Sequence, residues 1–311
     1  MSLLDIGGLW VETAQLPLVR DVDLSLARGE TLCLAGESGS GKSLTALALM
    51  DLLGPGLRRR ATRARFDGID LLDRGATQRL RGSRIAMIFQ EPMTALNPVF
   101  TIGTQLEAVY RRHRGGGRAE ARRRALHLLE RVGIGAPERR LAQFPHELSG
   151  GLRQRAMIAM ALMCQPDLLI ADEPTTALDV TVQAEILRLL EDLQRELGLA
   201  LILITHDLGV ASRMADRCAV MYAGEIVENA DRATVFRAPR HPYTQALLRC
   251  IPILGSAAPG TPLLDIPGVM PSGVEAGCAF RARCTSAAAE CTTAPPLRPV
   301  ERGSARCWFA S

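Results

Sequence analysis

The sequence predicts an α/β fold: a mixed, mainly parallel sheet with a helical insertion and a cysteine-containing C-terminal extension. Three observations carry this. Short, continuous apolar runs recur along the chain, and each ends in something polar. A glycine-rich loop joins one of these runs to a helical stretch. Beyond residue 257, Pro, Gly, Ala and Cys replace any periodic pattern. A chain of 311 residues that is 47% hydrophobic can bury a sizeable core, as one large domain or two smaller ones.

The apolar runs come first. Leu32–Ala35 leads into the glycine loop, Ile85–Phe89 into Gln90, Leu168–Ala171 into Asp172-Glu173, and Leu201–Ile204 into Thr205-His206. Continuous runs of this length suit strands buried on both faces of a sheet, with helices between them. Ligands of open α/β sheets bind at the carboxyl ends of strands. Four separate segments therefore deliver polar groups to one sheet edge.

Helical composition fills the chain between Gln90 and Asp172. Thr104–Tyr110 and Arg118–Val132 are rich in Ala, Leu, Glu and Arg, and Gly115-Gly116-Gly117 splits them. Further helices are expected at Leu44–Leu53, Gly150–Cys164 and Gln183–Leu197. The expected division is a main domain over 1–240, with the helical insertion at about 91–164, and an extension over 241–311. No internal repeat is visible.

Gly36-Glu37-Ser38-Gly39-Ser40-Gly41-Lys42-Ser43 fits the P-loop pattern between a predicted strand and the helix that opens at Leu44. Its glycines let backbone N–H groups curl inward onto phosphate oxygens, and the helix N-terminus adds partial positive charge. Lys42 is placed to reach the β- and γ-phosphates, and the Ser43 hydroxyl to ligate Mg²⁺. The fold is thus expected to be a P-loop ATPase core. Asp172 is expected to hold Mg²⁺, Glu173 to take a proton from the attacking water, and Gln90 to orient water and metal. Phosphoryl transfer relies mainly on such positioning and charge. His206, at the end of the next strand, is expected to contact the γ-phosphate.

Charge and hydropathy narrow the function. Net charge is +4, and Lys42 is the only lysine among 37 basic residues. A compact ammonium at that position is not interchangeable with a forked guanidinium. The clusters Arg58-Arg59-Arg60 and Arg122-Arg123-Arg124 read as solvated faces rather than nucleic-acid sites. No window offers the roughly 20 apolar residues of a membrane helix. Met1–Trp10 lacks a basic n-region. The expectation is a cytoplasmic chain that another protein must anchor if it works at a membrane.

Leu148-Ser149-Gly150-Gly151 precedes a helix. Ser149 can cap it, and the glycines bare its first N–H groups. Together with the P-loop, Gln90, Asp172-Glu173, Asp179 and His206, in this order, it resembles the ATP-binding-cassette ATPases over nearly the whole main domain. The resemblance implies that Ser149, Gly150 and Gly151 meet the γ-phosphate held by a partner cassette. It also implies that Thr175–Asp179 crosses the dimer seam. Two departures stand out. Leu152 occupies a position that is often Gln, and Leu16-Pro17-Leu18 holds no adenine-stacking aromatic.

Gln90–Pro98, Arg153-Gln154-Arg155 and His241-Pro242-Tyr243-Thr244 further resemble ATPases of dipeptide and oligopeptide importers, which also serve nickel and related solutes. This resemblance implies a second, different cassette ATPase, two membrane permease subunits and an external solute-binding protein. It places the chain on the cytoplasmic face of the inner membrane. Rival readings are a soluble cassette ATPase acting on nucleic acid or ribosomes, and an exporter. The single cassette without large basic insertions argues against the first, and the importer-like extension against the second.

Cys33, Cys164, Cys218 and Cys250 are scattered and read as core or near-core residues. Cys278, Cys284, Cys291 and Cys307 are spaced C-x5-C-x6-C-x15-C. That is looser than zinc pairs and is not a standard ferredoxin spacing. Zinc, free thiols and an iron–sulfur cluster remain open on spacing alone. The resemblance implies a [4Fe–4S] cluster beside the cofactors ATP and Mg²⁺.

Overall fold

The computed structural model describes residues 2–91, 95–176, 178–251, 265–271, 273 and 276–310. Pro92, Met93, Thr94 and Ala177, which fall within Gln90–Pro98 and Thr175–Asp179, lie outside the described residues. The strands are β1 (Ser2–Glu12), β2 (Pro17–Ala27), β3 (Thr31–Ala35), β4 (Arg58–Arg60), β5 (Arg63–Phe66), β6 (Ile69–Asp70), β7 (Ile85–Ile88), β8 (Leu168–Asp172), β9 (Ala200–Thr205), β10 (Arg217–Tyr222), β11 (Glu225–Asp231), β12 (Arg298–Val300) and β13 (Gly303–Ala305). The α-helices are α1 (Lys42–Leu49), α2 (Arg74–Leu80), α3 (Ile102–Arg114), α4 (Arg118–Arg131), α5 (Pro137–Leu141), α6 (Gly150–Ala161), α7 (Val180–Leu197), α8 (Leu208–Met214), α9 (Arg232–Arg237) and α10 (Pro242–Arg249). Two compact units result: residues 27–30 with 73–202, and residues 2–26, 31–72 and 203–311.

The four apolar runs of the sequence all lie in strands, namely β3, β7, β8 and β9, and every residue of these strands is buried. Phe89 alone falls outside, and it is 37% exposed.

In the first unit β7 and β8 pair in parallel, Ile85 opposite Leu168. Helices α3 and α4 bury Ile102 and Leu106 against Ala121, Ala125, Leu128 and Leu129. Helix α3 is longer than the composition suggests because both ends are capped. The Thr101 hydroxyl accepts from the Thr104 N–H at 3.2 Å, and Gly115 stops the helix in the left-handed region. Helix α7 starts at Val180 rather than Gln183 because Asp179 caps it. Arg122 is not simply a solvated residue. It and Arg118 each stand 3.6 Å from the buried Glu107 carboxylate, so two cations offset one desolvated charge.

The second unit holds two sheets. Strand β1 pairs antiparallel with β4 and with β5, Leu4 opposite Phe66. Along β2, Val22, Leu24 and Leu26 are buried and alternate with exposed Asp21, Asp23 and Ser25, the period-two pattern of a half-buried strand. Arg59 also departs from the solvated reading. Its guanidinium donates to the carbonyls of Ala48 and Leu71 and pairs with Asp51 at 3.3 Å, while Arg58 and Arg60 stay exposed.

Strand β10 runs parallel to β3, with Cys33 opposite Cys218, and antiparallel to β11. Strand β13 continues the sheet from β11, and β12 pairs with β13. The extension is therefore better anchored than its lack of periodicity implies. Phe280 is buried, with its ring 5.2 Å from that of Tyr222 and 5.3 Å from that of Tyr243. Burying one such ring stabilises by about 2–3 kcal/mol. Three of the four scattered cysteines (Cys33, Cys164 and Cys218) are fully buried, and Cys250 is partly so.

Candidate functional site

In the second unit β3 ends at Ala35 and α1 begins at Lys42, so Gly36–Gly41 forms the turn between them. Gly36 has φ +149, and a Cβ there would lie 2.2 Å from the Met221 carbonyl. Gly41 has φ +105 and a Cβ there would stand 2.9 Å from Met221 Cε. Both positions exclude a side chain, which lets the loop run tightly against β10. Lys42 is buried and its ammonium donates within the loop: to Gly36 O at 2.9 Å, Glu37 O at 2.8 Å and Ser40 Oγ at 3.4 Å. Ser38 and Gly39 are exposed at the tip, whereas Ser43 and Leu44 are half-buried at the start of α1.

His206 follows β9 and is exposed. The next residue, Asp207, caps α8 through Gly209 N–H at 2.7 Å, and its own N–H donates to Thr205 Oγ1 at 2.9 Å. His206 thus sits on a short connection fixed on both sides.

In the first unit Asp172 ends β8 and is 5% exposed. Glu173 follows with φ +45, a left-handed conformation that costs a non-glycine residue about 1 kcal/mol or more. The turn aims its carboxylate at two donors. Gln90 Nε2 donates to Glu173 Oε2 at 3.2 Å, and Thr176 Oγ1 donates to the same oxygen at 2.9 Å. Gln90 and Glu173, expected to act together, are adjacent.

Ser149 caps α6, accepting from Leu152 N–H at 3.4 Å, and Asp179 caps α7, accepting from Val182 N–H at 3.0 Å. The two helix starts lie side by side: a Cβ on Gly151 would stand 3.0 Å from Val182 Cγ1, and one on Gly150 3.6 Å from Leu178. Glycines there keep the first N–H groups of α6 bare.

A strand-ended glycine loop carrying a buried lysine, an acidic pair with its glutamine, and a capped Ser-Gly-Gly helix start are now all in view. Against known families, residues 19–176 match the ABC transporter model. The chain belongs to the ABC transporter family. Residues 227–291 of this ABC protein also match the C-terminal region of oligopeptide/dipeptide transporters. It is 49% identical to a putative peptide import ATP-binding protein of Brucella melitensis, over 96% of this chain and 94% of that one. It is 46% identical to the dipeptide transport ATP-binding protein DppD of Escherichia coli, over 95% and 92%. Among solved structures, the ATP-binding cassette MJ0796, a dimer in a post-hydrolysis state bound to ADP and phosphate, superposes with a TM-score of 0.64 at 28% identity. That likeness covers 74% of this chain and 98% of the other.

The extension of this ABC ATPase brings its four cysteines to one place. Cys278, Cys284, Cys291 and Cys307 line a single small space together with His241, Phe280 and Trp308. Burial pushes the Cys278 thiol up to about 11, and the neighbouring Cys291, Cys284 and Cys307 add to the shift; burial also raises Cys284. Among the described residues, no group of three or more His, Cys, Asp or Glu is arranged to hold a metal ion. That finding does not support the four-cysteine cluster expected from the sequence.

Two residues that sequence reasoning assigned no role reach the phosphate loop. Tyr243 Oη accepts from the Glu37 N–H at 2.9 Å, and Arg283 pairs with the Glu37 carboxylate. Tyr243 was visible only as part of a family motif. Nothing in the sequence signals a contact between residues 246 positions apart.

Proposed function

We propose that this chain is the ATP-hydrolysing subunit that powers import of peptides, or of a related small solute, through a membrane permease. The observation that carries this reading is the match of residues 227–291 to the C-terminal region of oligopeptide/dipeptide transporters, joined to the ABC transporter match over residues 19–176. Among the described residues no helix is long and apolar enough to cross a membrane, so membrane attachment is assigned to other subunits. These are two permease proteins at the cytoplasmic face, served by an external solute-binding protein, with a second, different cassette ATPase as partner. The C-terminal extension is taken to span residues 241–311, after a cassette over 1–240.

Within the site, the N–H groups of Gly36–Leu44 and the Lys42 ammonium are assigned to the β- and γ-phosphates. Ser43, Gln90 and Asp172 would hold Mg²⁺. A hydroxyl, an amide oxygen and a carboxylate are the hard donors that this ion takes. The ion would neutralise phosphate charge. Glu173 accepts the proton of the attacking water, and His206 orients that water at the γ-phosphate. Ser149, Gly150 and Gly151 present the bare start of α6 to the γ-phosphate of the partner cassette, with Asp179 at the seam.

Uptake of a radiolabelled tripeptide by cells lacking this chain tests the transport reading. Complementation with the wild-type chain should restore uptake, and the tagged chain should copurify with two integral membrane proteins. Full peptide uptake without the chain, or copurification with ribosomes instead, would favour the soluble alternative.

For the extension, we propose that Cys278, Cys284, Cys291 and Cys307 ligate a [4Fe–4S] cluster. Support comes from the convergence of four thiols on one space. Such soft donors suit iron–sulfur centres. The group would cross-link four separate points of the extension. Anaerobically purified protein should be brown, with iron and sulfide near four each per chain, and Cys284→Ser should bleach it while leaving ATP binding intact. Stoichiometric zinc in colourless protein would replace the cluster with a zinc site, and absence of both would leave four thiols.

A further inference from the structure

Glu37 puts a carboxylate into a loop that has to hold a polyanion. Its charge is met by Arg283, whose Nη1 stands 3.2 Å from Oε1 and 3.1 Å from Oε2. The Arg283 side chain is only 5% exposed. It is fixed by donation from Nε to Pro267 O at 2.9 Å and from Nη2 to Ile266 O at 3.0 Å. The backbone of Glu37 is held as well. Its N–H donates to Tyr243 Oη at 2.9 Å and its carbonyl accepts from Lys42 Nζ at 2.8 Å. Tyr243 is itself fully buried, its ring 4.6 Å from that of Tyr222. Burial keeps its phenol well above the ordinary range, so the group that meets the Glu37 N–H is a neutral hydroxyl.

We propose that Tyr243 and Arg283 form a clamp on Glu37 that sets nucleotide affinity. Arg283 cancels a negative charge beside the phosphates, and Tyr243 fixes the loop's backbone in its receptive curl. Both are positioning residues, acting through Glu37 rather than on nucleotide. The inference rests on Gly36–Ser43 being the phosphate loop and goes beyond it, because the cysteine-bearing extension then helps to tune the ATP site.

The test is calorimetric titration of the full chain with ATP and Mg²⁺. Removing a charge-assisted contact in Arg283→Met should weaken ATP binding about tenfold, and removing one hydroxyl in Tyr243→Phe about fivefold. In the assembled transporter both variants should raise KM and leave kcat within about twofold. The decisive variant is the double substitution Glu37→Gln with Arg283→Met. With no carboxylate left to neutralise, it should recover most of the lost affinity. A purely structural role for Arg283 predicts no recovery, and that result, or wild-type affinity in Arg283→Met, overturns the clamp. If Arg283→Met fails to fold, Tyr243→Phe decides, since it keeps the buried ring; unchanged affinity there overturns the proposal. Lys42→Ala serves as control. Normal ATP binding in that variant would sink the phosphate-loop assignment and the clamp with it, whereas loss there with no change in Arg283→Met sinks the clamp alone.

Discussion

Replacing Lys42 with alanine should abolish ATP turnover, by a factor of about a hundred or more, and weaken nucleotide binding. Two effects combine. The variant deletes the ammonium assigned to the β- and γ-phosphates, in a chain that has no other lysine. It also unties the loop, because that ammonium holds the carbonyls of Gly36 and Glu37 and the Ser40 hydroxyl. Charged hydrogen bonds of this kind are each worth about 1.5–3 kcal/mol. The loop should therefore lose its shape as well as its charge. Phosphate release measured in the assembled transporter checks this, and wild-type rates would remove Lys42 from the site.

Glu173→Gln should separate binding from hydrolysis. The amide oxygen can still accept from Gln90 and Thr176, which both donate to one carboxylate oxygen in the native chain, so the local fold should survive. What the amide cannot do is take a proton from water. A misplaced or missing general base costs about 10²–10⁴ in rate. ATP affinity should be unchanged, and two cassettes should remain closed on unhydrolysed ATP, visible as a dimer by size-exclusion chromatography. Turnover within about tenfold of wild type would remove Glu173 as the base at this site.

The parts of the site that are local in sequence were legible in it. Gly36–Ser43 announces a strand, a turn and a helix within eight residues, because steric freedom at glycine and a helix start are local properties. Ser149 and Asp179 likewise cap the helices directly after them. Contacts across the chain were not legible. Gln90 and Glu173 could be grouped because each follows a predicted strand, but that they share a hydrogen bond depends on where the turns after β7 and β8 aim, including the left-handed φ of Glu173. Strands β12 and β13 were missed because three residues cannot display a period, and Pro299 argues against a ladder. Strand β2 is a different case, for the alternation of Val22, Leu24 and Leu26 is present in the sequence. Arg59 shows the limit of reading charge clusters: only packing decides which of three adjacent arginines turns inward.

The pairing of Glu37 with Arg283 has a consequence for how the protein is made. A ribosome that has just added Glu37 must add 246 more residues before Arg283 exists. At roughly 5–20 residues per second that takes on the order of ten to fifty seconds. Strand β3 meanwhile lacks its parallel neighbour β10, so that edge stays open. Residues 73–202, which with residues 27–30 make up the other compact unit, are all synthesised within this interval. The loop translated early thus reaches its native setting only when a segment translated much later docks, which makes competence of this site a late step of the nascent chain's maturation.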